Sequence, residues 1–106
     1  MIEITFKPEN LAISVTGHAG AAEKGKDIVC SAVSILSYTL AQTLADSADA
    51  LEEAPVIEME DGNGFVSCKP KEGYSGAIQQ TYRTILTGFE LVAQEYKDYV
   101  SFAVIG

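Results

Sequence analysis

Residues 11–40 read LAISVTGHAGAAEKGKDIVCSAVSILSYTL, and the spacing of the apolar residues changes within this stretch. Leu11, Ile13 and Val15 alternate with small or polar neighbours, which is typical of a half-buried β-strand. From Ile28 onward the apolar residues recur at steps of three and four, which is typical of one face of an α-helix. The stretch therefore predicts a strand, a short loop that contains glycine, and a long helix.

The residues before this stretch predict a second strand. Residues 1–7 (MIEITFK) also alternate between apolar and polar positions, and residues 8–10 (PEN) separate them from the run at 11–17. Two half-buried strands joined by a short turn predict a β-hairpin at the N-terminal end of the fold.

The helix is predicted to begin after Asp27, whose side chain is a good N-cap. We expect it to continue until Pro55, because proline cannot continue a helix. Its predicted apolar face consists of Val29, Val33, Leu36, Leu40, Leu44, Ala48 and Leu51.

The second half of the chain repeats this arrangement. Residues 56–60 and 65–69 flank the turn sequence DGNG at 61–64, which predicts a second hairpin. A second helix is predicted from about Ser75, and residues 99–105 predict a last strand. The predicted apolar stripe of the second helix consists of Ile78, Tyr82, Ile85, Phe89, Val92 and Tyr96. The order ββαββαβ predicts an α+β fold, a two-layer α/β sandwich with two helices on a largely antiparallel sheet.

Length and composition restrict the classes of function. A chain of 106 residues has room for a single domain, residues 1–106, and its formal net charge of −8 argues against binding nucleic acid directly. No segment approaches the roughly 20 apolar residues of a membrane span, and the first residues lack the pattern of a secretory signal. We therefore expect a cytoplasmic location, with Cys30 and Cys68 as free thiols. We expect neither a cofactor nor a metal, because the cysteines form no CxxC pair and the glycine spacing matches no nucleotide-binding motif.

His18 and Cys30 form a candidate catalytic pair. His18 is the only histidine and follows the second strand, and Cys30 lies in the first turn of the predicted helix. A helix N-terminus can lower the pKa of a cysteine, and its free N–H groups can bind an oxyanion. A nearby imidazole would act as base and then as acid. The residues fit equally well a small core cysteine and a surface histidine that are neighbours by chance.

The sequence GHAG, the glycine-containing loop and DIVCSAVS together resemble the signature of the bacterial ribosomal-processing cysteine protease family, Prp. Length, acidic character and element order are similar over essentially the whole chain. The resemblance implies a cysteine endopeptidase that removes an N-terminal extension from large-subunit ribosomal protein number twenty-seven, after a bulky aromatic residue. It implies that Cys30 is the nucleophile and His18 the base, with Asp27 and Ser34 as supporting residues. It also implies a homodimer.

The loop at residues 19–26 would then cover the bound peptide. It contains Ala19, Gly20 and Gly25, and we expect it to be mobile without substrate and to close on binding. Three other functions fit the residues: a relative encoded by a prophage that processes a phage structural protein, a non-catalytic module that binds a basic ribosomal protein, and a redox-sensing thiol protein.

Overall fold

The computed structural model of the chain describes residues 1–20 and 27–106. The elements are β1 (Ile2–Lys7), β2 (Ala12–Thr16), α1 (Ile28–Ala45), β3 (Val56–Glu60), β4 (Asn63–Ser67), α2 (Ser75–Glu95) and β5 (Val100–Val104). The predicted order ββαββαβ is confirmed.

The five strands form one open sheet in the order β3-β4-β2-β1-β5. The β1–β2, β2–β4 and β3–β4 pairs are antiparallel, whereas β1 and β5 are parallel. Apolar residues of the strands and both helices form one buried cluster. The predicted α+β fold, with two helices on a largely antiparallel sheet, is therefore confirmed.

The N-terminal hairpin follows the predicted alternation. Ile2, Ile4 and Phe6 are buried, and the intervening side chains are more exposed. The register pairs Phe6 with Ile13 and Ile4 with Val15, so the apolar faces of both strands point to the same side of the sheet. This hairpin forms the middle of the sheet, between β4 and β5.

Helix α1 begins where the sequence predicts and ends earlier. Asp27 is its N-cap, but the helix ends at Ala45 rather than continuing to Pro55. A short 3₁₀ turn at residues 48–50 follows, and Leu51 returns to the core with 3% of its surface exposed. The sequence DSAD at 46–49 explains the early end, because short polar side chains compete for backbone hydrogen bonds and favour turns. The prediction of an uninterrupted helix was therefore wrong after residue 45.

Helix α1 carries no charged residue and has a mean hydropathy of 1.6 over Ile28–Ala45. The expectation that no segment is long and apolar enough for a membrane span was therefore wrong by length and composition, although core helices of globular proteins meet the same criterion. Its buried residues are Val29, Val33, Ser37, Leu40, Ala41 and Leu44. In the fold, α1 is therefore a core helix with one buried face.

Helix α2 matches its prediction closely. It begins at Ser75, and Ile78, Tyr82, Ile85 and Phe89 are buried. Two further positions of the predicted stripe, at residues 92 and 96, are partly buried and pack against the core. The periodic pattern was sufficient here because one face of α2 meets the rest of the core along most of its length.

Candidate active site

The end of β2 and the start of α1 meet in the structure. The backbone N–H of Ala19 donates a hydrogen bond to Sγ of Cys30, at an N–S distance of 3.5 Å. Ala19 is buried, Cys30 is partly buried, and His18, the residue before Ala19, is exposed. The fold therefore brings together the two segments that carry the predicted catalytic pair.

His18 and Cys30 line the same cavity, which has a volume of about 350 Å³. This size lies at the lower end of the range for ligand pockets, about 300–1,000 Å³. Ser34, one helical turn after Cys30, lines it as well. The apolar part of the wall consists of Ile2, Val15, Val33 and Met59, and the polar part includes Ser37, Tyr38, Glu60, Asp61 and Asn63. The cavity thus combines a thiol, an imidazole and an apolar wall.

Asp27 caps α1, as predicted. Its Oδ1 accepts hydrogen bonds from the N–H groups of Val29 at 2.9 Å and Cys30 at 3.0 Å, and the residue is only 6% exposed. These two N–H groups are therefore already bound to a carboxylate. The expectation that N–H groups at the start of the helix receive an oxyanion does not hold for these two, because the side chain that starts the helix occupies them.

The pKa of the Cys30 thiol is raised, contrary to the expected lowering. Burial is the largest cause, because it disfavours the charged thiolate. The Ala19 N–H lowers the pKa, but the hydrogen bond to Asp27 and the negative charges of Asp27 and Asp61 raise it. The carboxylate at the cap offsets the positive end of the helix, so the position of Cys30 in the first turn does not lower the pKa of its thiol.

The turn between β3 and β4 forms the third side of the site. Thr16 of β2 pairs with Asn63 of β4, and the N–H of Gly17 donates to the carbonyl of Gly62 at 2.9 Å. Asp61 lies in this turn and lines the cavity. The sequence predicted the hairpin but did not reveal its place in the site, because the pairing of β4 with β2 joins residues more than 40 positions apart.

The remaining predicted residues have separate surroundings. Cys68 directly follows β4, and the hydroxyl of Tyr82 donates to its Sγ at 3.6 Å. This agrees with a packing role for Cys68. Gly20 is exposed and has a φ of +69°. Gly25 lies outside the described residues, as does most of the loop at 19–26, so closure of this loop over a peptide stays a prediction.

Within residues 1–20 and 27–106, no group of three or more His, Cys, Asp or Glu side chains is arranged to hold a metal ion. Two acidic residues lie near the cavity. Glu60 is the last residue of β3, and Asp61 lies in the two-residue turn that follows. Both residues line the cavity that contains Cys30, and the negative charge of Asp61 raises the pKa of Cys30.

Comparisons with known proteins identify a matching family. The family model described as cysteine protease Prp matches residues 1–101. None of the curated proteins matches the chain in sequence.

Solved structures show the same fold. The ribosomal processing protease Prp of S. aureus, with a covalently linked product peptide, matches with a TM-score of 0.80 and 20% identity over 99% of this chain and 100% of that one. The same protease with a substrate peptide matches with a TM-score of 0.66 and 21% identity over 98% and 97%. A Streptococcus mutans protein matches with a TM-score of 0.70 and 26% identity over 98% and 91%.

Proposed function

The chain belongs to the cysteine protease Prp family, and we propose that it removes the N-terminal extension of large-subunit ribosomal protein number twenty-seven by cutting after a bulky aromatic residue. The observation that carries this proposal is the shared cavity of Cys30 and His18. Related structures of the S. aureus ribosomal processing protease with product and substrate peptides support a peptide as the substrate.

Cys30 is the nucleophile in this proposal. Because its pKa is raised, the thiol needs a base before it can attack, and His18 accepts the proton. The sulfur then bonds to the carbonyl carbon of the scissile peptide. The N–H of Ala19, which already donates to Sγ, stabilises negative charge on the sulfur while the proton is on His18.

His18 returns the proton in the second half of the reaction. The carbon–nitrogen bond of the tetrahedral intermediate breaks, and the imidazolium donates its proton to the leaving amine. The acyl group remains as a thioester on Cys30. Water, deprotonated by His18, attacks this thioester and restores the thiol, and the extension leaves with a new carboxylate.

The apolar part of the cavity wall supports the preference for an aromatic residue. Val15 and Met59 are partly buried and contribute apolar surface next to the catalytic pair. An aromatic side chain placed there would lose its contact with water, and this burial stabilises the bound peptide. Ser34 lies exposed on the same wall, where its hydroxyl can hydrogen-bond to the peptide backbone.

The test is cleavage of the precursor ribosomal protein, followed by intact-mass analysis. Wild type, Cys30→Ala and His18→Ala are incubated with the precursor at neutral pH. We expect a single N-terminal fragment with wild type and none with Cys30→Ala. His18→Ala should be at least about 100-fold slower, because general acid–base catalysis contributes roughly 10²–10⁴-fold.

Cys68→Ala is the matched control, since it removes the other thiol and leaves the cavity intact; it should cut at close to the wild-type rate. An uncut precursor with folded wild type would reject this substrate. Complex formation without cleavage would then support a binding module, and cleavage of a phage structural protein would support the prophage alternative. The homodimer stays a prediction from the family resemblance, and the cytoplasmic location stays a prediction from the sequence.

A further inference from the structure

We propose that Gly62 is a positioning residue for His18, because only a residue without a side chain at this place lets the imidazole stay on the wall of the cavity. This inference rests on the proposed function for the role of His18 as the base. The β3–β4 turn thereby has a role in the site, although it contains no part of the sequence motif and no residue of the catalytic pair.

The imidazole ring of His18 lies directly against Gly62. A Cβ atom built on Gly62 would lie 2.7 Å from Nε2, 3.2 Å from Cε1 and 3.4 Å from Cδ2 of His18. The first of these distances is shorter than any van der Waals contact between carbon and nitrogen. The edge of the ring that carries Nε2 therefore occupies the space of the missing side chain.

The backbone of the turn has little freedom to move away from the ring. The N–H of Gly17, directly before His18, donates to the carbonyl of Gly62 at 2.9 Å. The neighbouring pair, Thr16 and Asn63, belongs to the β2–β4 ladder. A side chain at position 62 would therefore displace the imidazole and leave the turn in place.

Displacing the imidazole should change the stability of the fold little but lower the rate of the reaction strongly. His18 is exposed and its ring is the far end of a side chain, so the ring can rotate away without disturbing the core. Proton transfer, however, requires the nitrogen to come within about 2.6–3.2 Å of the proton donor or acceptor. A misplacement of about 1 Å can reduce the rate by about 100-fold.

Gly73 provides a matched control. Its φ is +91°, compared with +76° for Gly62, so alanine is strained in a similar way at both positions. Nothing in the described part of the chain lies within 4 Å of a Cβ built on Gly73. Gly62→Ala and Gly73→Ala thus share the backbone effect, and only Gly62→Ala adds a collision with His18.

The experiment compares both variants by thermal unfolding, by cleavage kinetics and by the NMR signals of the His18 ring, which are unambiguous in a chain with one histidine. We expect similar decreases in Tm. We expect kcat to fall about 10- to 100-fold in Gly62→Ala, with little change in KM, and to stay near wild type in Gly73→Ala. The His18 signals should shift only in Gly62→Ala.

A third variant, Gly62→Asn, separates collision from backbone strain. Asparagine tolerates a positive φ better than alanine does but still has a Cβ, so we expect it to be as slow as Gly62→Ala. Recovery of activity in Gly62→Asn would overturn the proposal. It would also be overturned if Gly62→Ala had the same kcat as Gly73→Ala and unshifted His18 signals. If wild type cut no peptide, the proposed function would fail, whereas the His18 signals would still decide whether Gly62 positions the ring.

Discussion

The carboxylate of Asp27 has two effects on its neighbours. Asp27 binds the N–H groups of Val29 and Cys30 and thereby starts α1. The same carboxylate accepts a hydrogen bond from the Cys30 thiol and repels a thiolate, and both effects raise the pKa of Cys30. Both effects favour the protonated thiol, so the proposed attack by Cys30 depends on His18 as the base.

Replacing Asp27 by asparagine should make Cys30 more acidic. The amide oxygen of Asn can still accept the helix N–H bonds, but the negative charge near the thiol is removed. We expect Asp27→Asn to lower the pKa of Cys30, so that the midpoint of alkylation by iodoacetamide moves to lower pH. The measurement is the alkylation rate as a function of pH, with Cys68→Ala as the background so that Cys30 is the only thiol.

Two further variants control this prediction. Asp61→Asn should shift the midpoint in the same direction by a smaller amount, because the charge of Asp61 is the smallest of the causes that raise the pKa. Glu58 lies exposed on the same hairpin and is not among the described residues that line the cavity, so Glu58→Gln should leave the midpoint unchanged. An unchanged or higher midpoint in Asp27→Asn would contradict the electrostatic explanation.

At the scale of elements, the contact between the two helices depends on a small residue. A Cβ built on Gly88 of α2 would lie 2.7 Å from Cδ2 and 3.1 Å from Cδ1 of Leu36 on α1. Leu36 is partly buried and packs against the core. The absence of a side chain at position 88 therefore allows the two helices to approach each other closely at Leu36.

Alanine at two glycines of α2 should have opposite effects. Gly76→Ala meets no described atom within 4 Å and should stabilise the protein by about 0.5 kcal/mol, because alanine loses less backbone entropy in a helix. Gly88→Ala should destabilise it by about 1–2 kcal/mol, because Leu36 must leave its rotamer. Urea unfolding measures both. If Gly88→Ala stabilised the protein as much as Gly76→Ala does, the contact between the two helices would have space for a methyl group.

Across the whole molecule, Tyr82 connects α2 to β1 and to the segment that follows β4. It is 1% exposed on α2, its ring centroid lies 6.1 Å from that of Phe6 on β1, and its hydroxyl donates to Cys68 after β4. Burial, followed by the interaction with Cys68, raises the pKa of Tyr82 far above its ordinary value. The folded state therefore disfavours the tyrosinate, whereas the unfolded chain accepts it.

This difference predicts a loss of stability at alkaline pH. Because the folded pKa is raised, the contribution of Tyr82 is complete below its unfolded pKa of about 10 and is lost as the pH rises above it, at about 1.4 kcal/mol per pH unit. We expect Tyr82→Phe to remove this part of the slope when the free energy of unfolding is measured between pH 9 and pH 11. Tyr74→Phe, at an exposed position, should retain the wild-type slope; the same slope in both variants would contradict the assignment to Tyr82.

Local patterns were sufficient for most of the fold. Alternation predicted β1 and β2, three- and four-residue spacing predicted α2, and the side chain of Asp27 predicted the start of α1. The predicted helix α1 was too long because the apolar spacing continues through Ala48 and Leu51, although the backbone has left the helix after Ala45. A residue can keep its place in the core through a turn as well as through a helix, and spacing does not distinguish the two.

The sequence by itself determined the elements, their order, the family resemblance and the candidate pair His18 and Cys30, because these depend on neighbours within a few residues or on a contiguous motif. Only the tertiary structure decided that β5 pairs in parallel with β1, that Asp61 and Gly62 join the site, and that the pKa of Cys30 is raised. The physical reason is the same in each case. Strand pairing, steric contact and the effect of charge depend on distance in space. The residues concerned are far apart along the chain, or acquire their environment only when the chain folds.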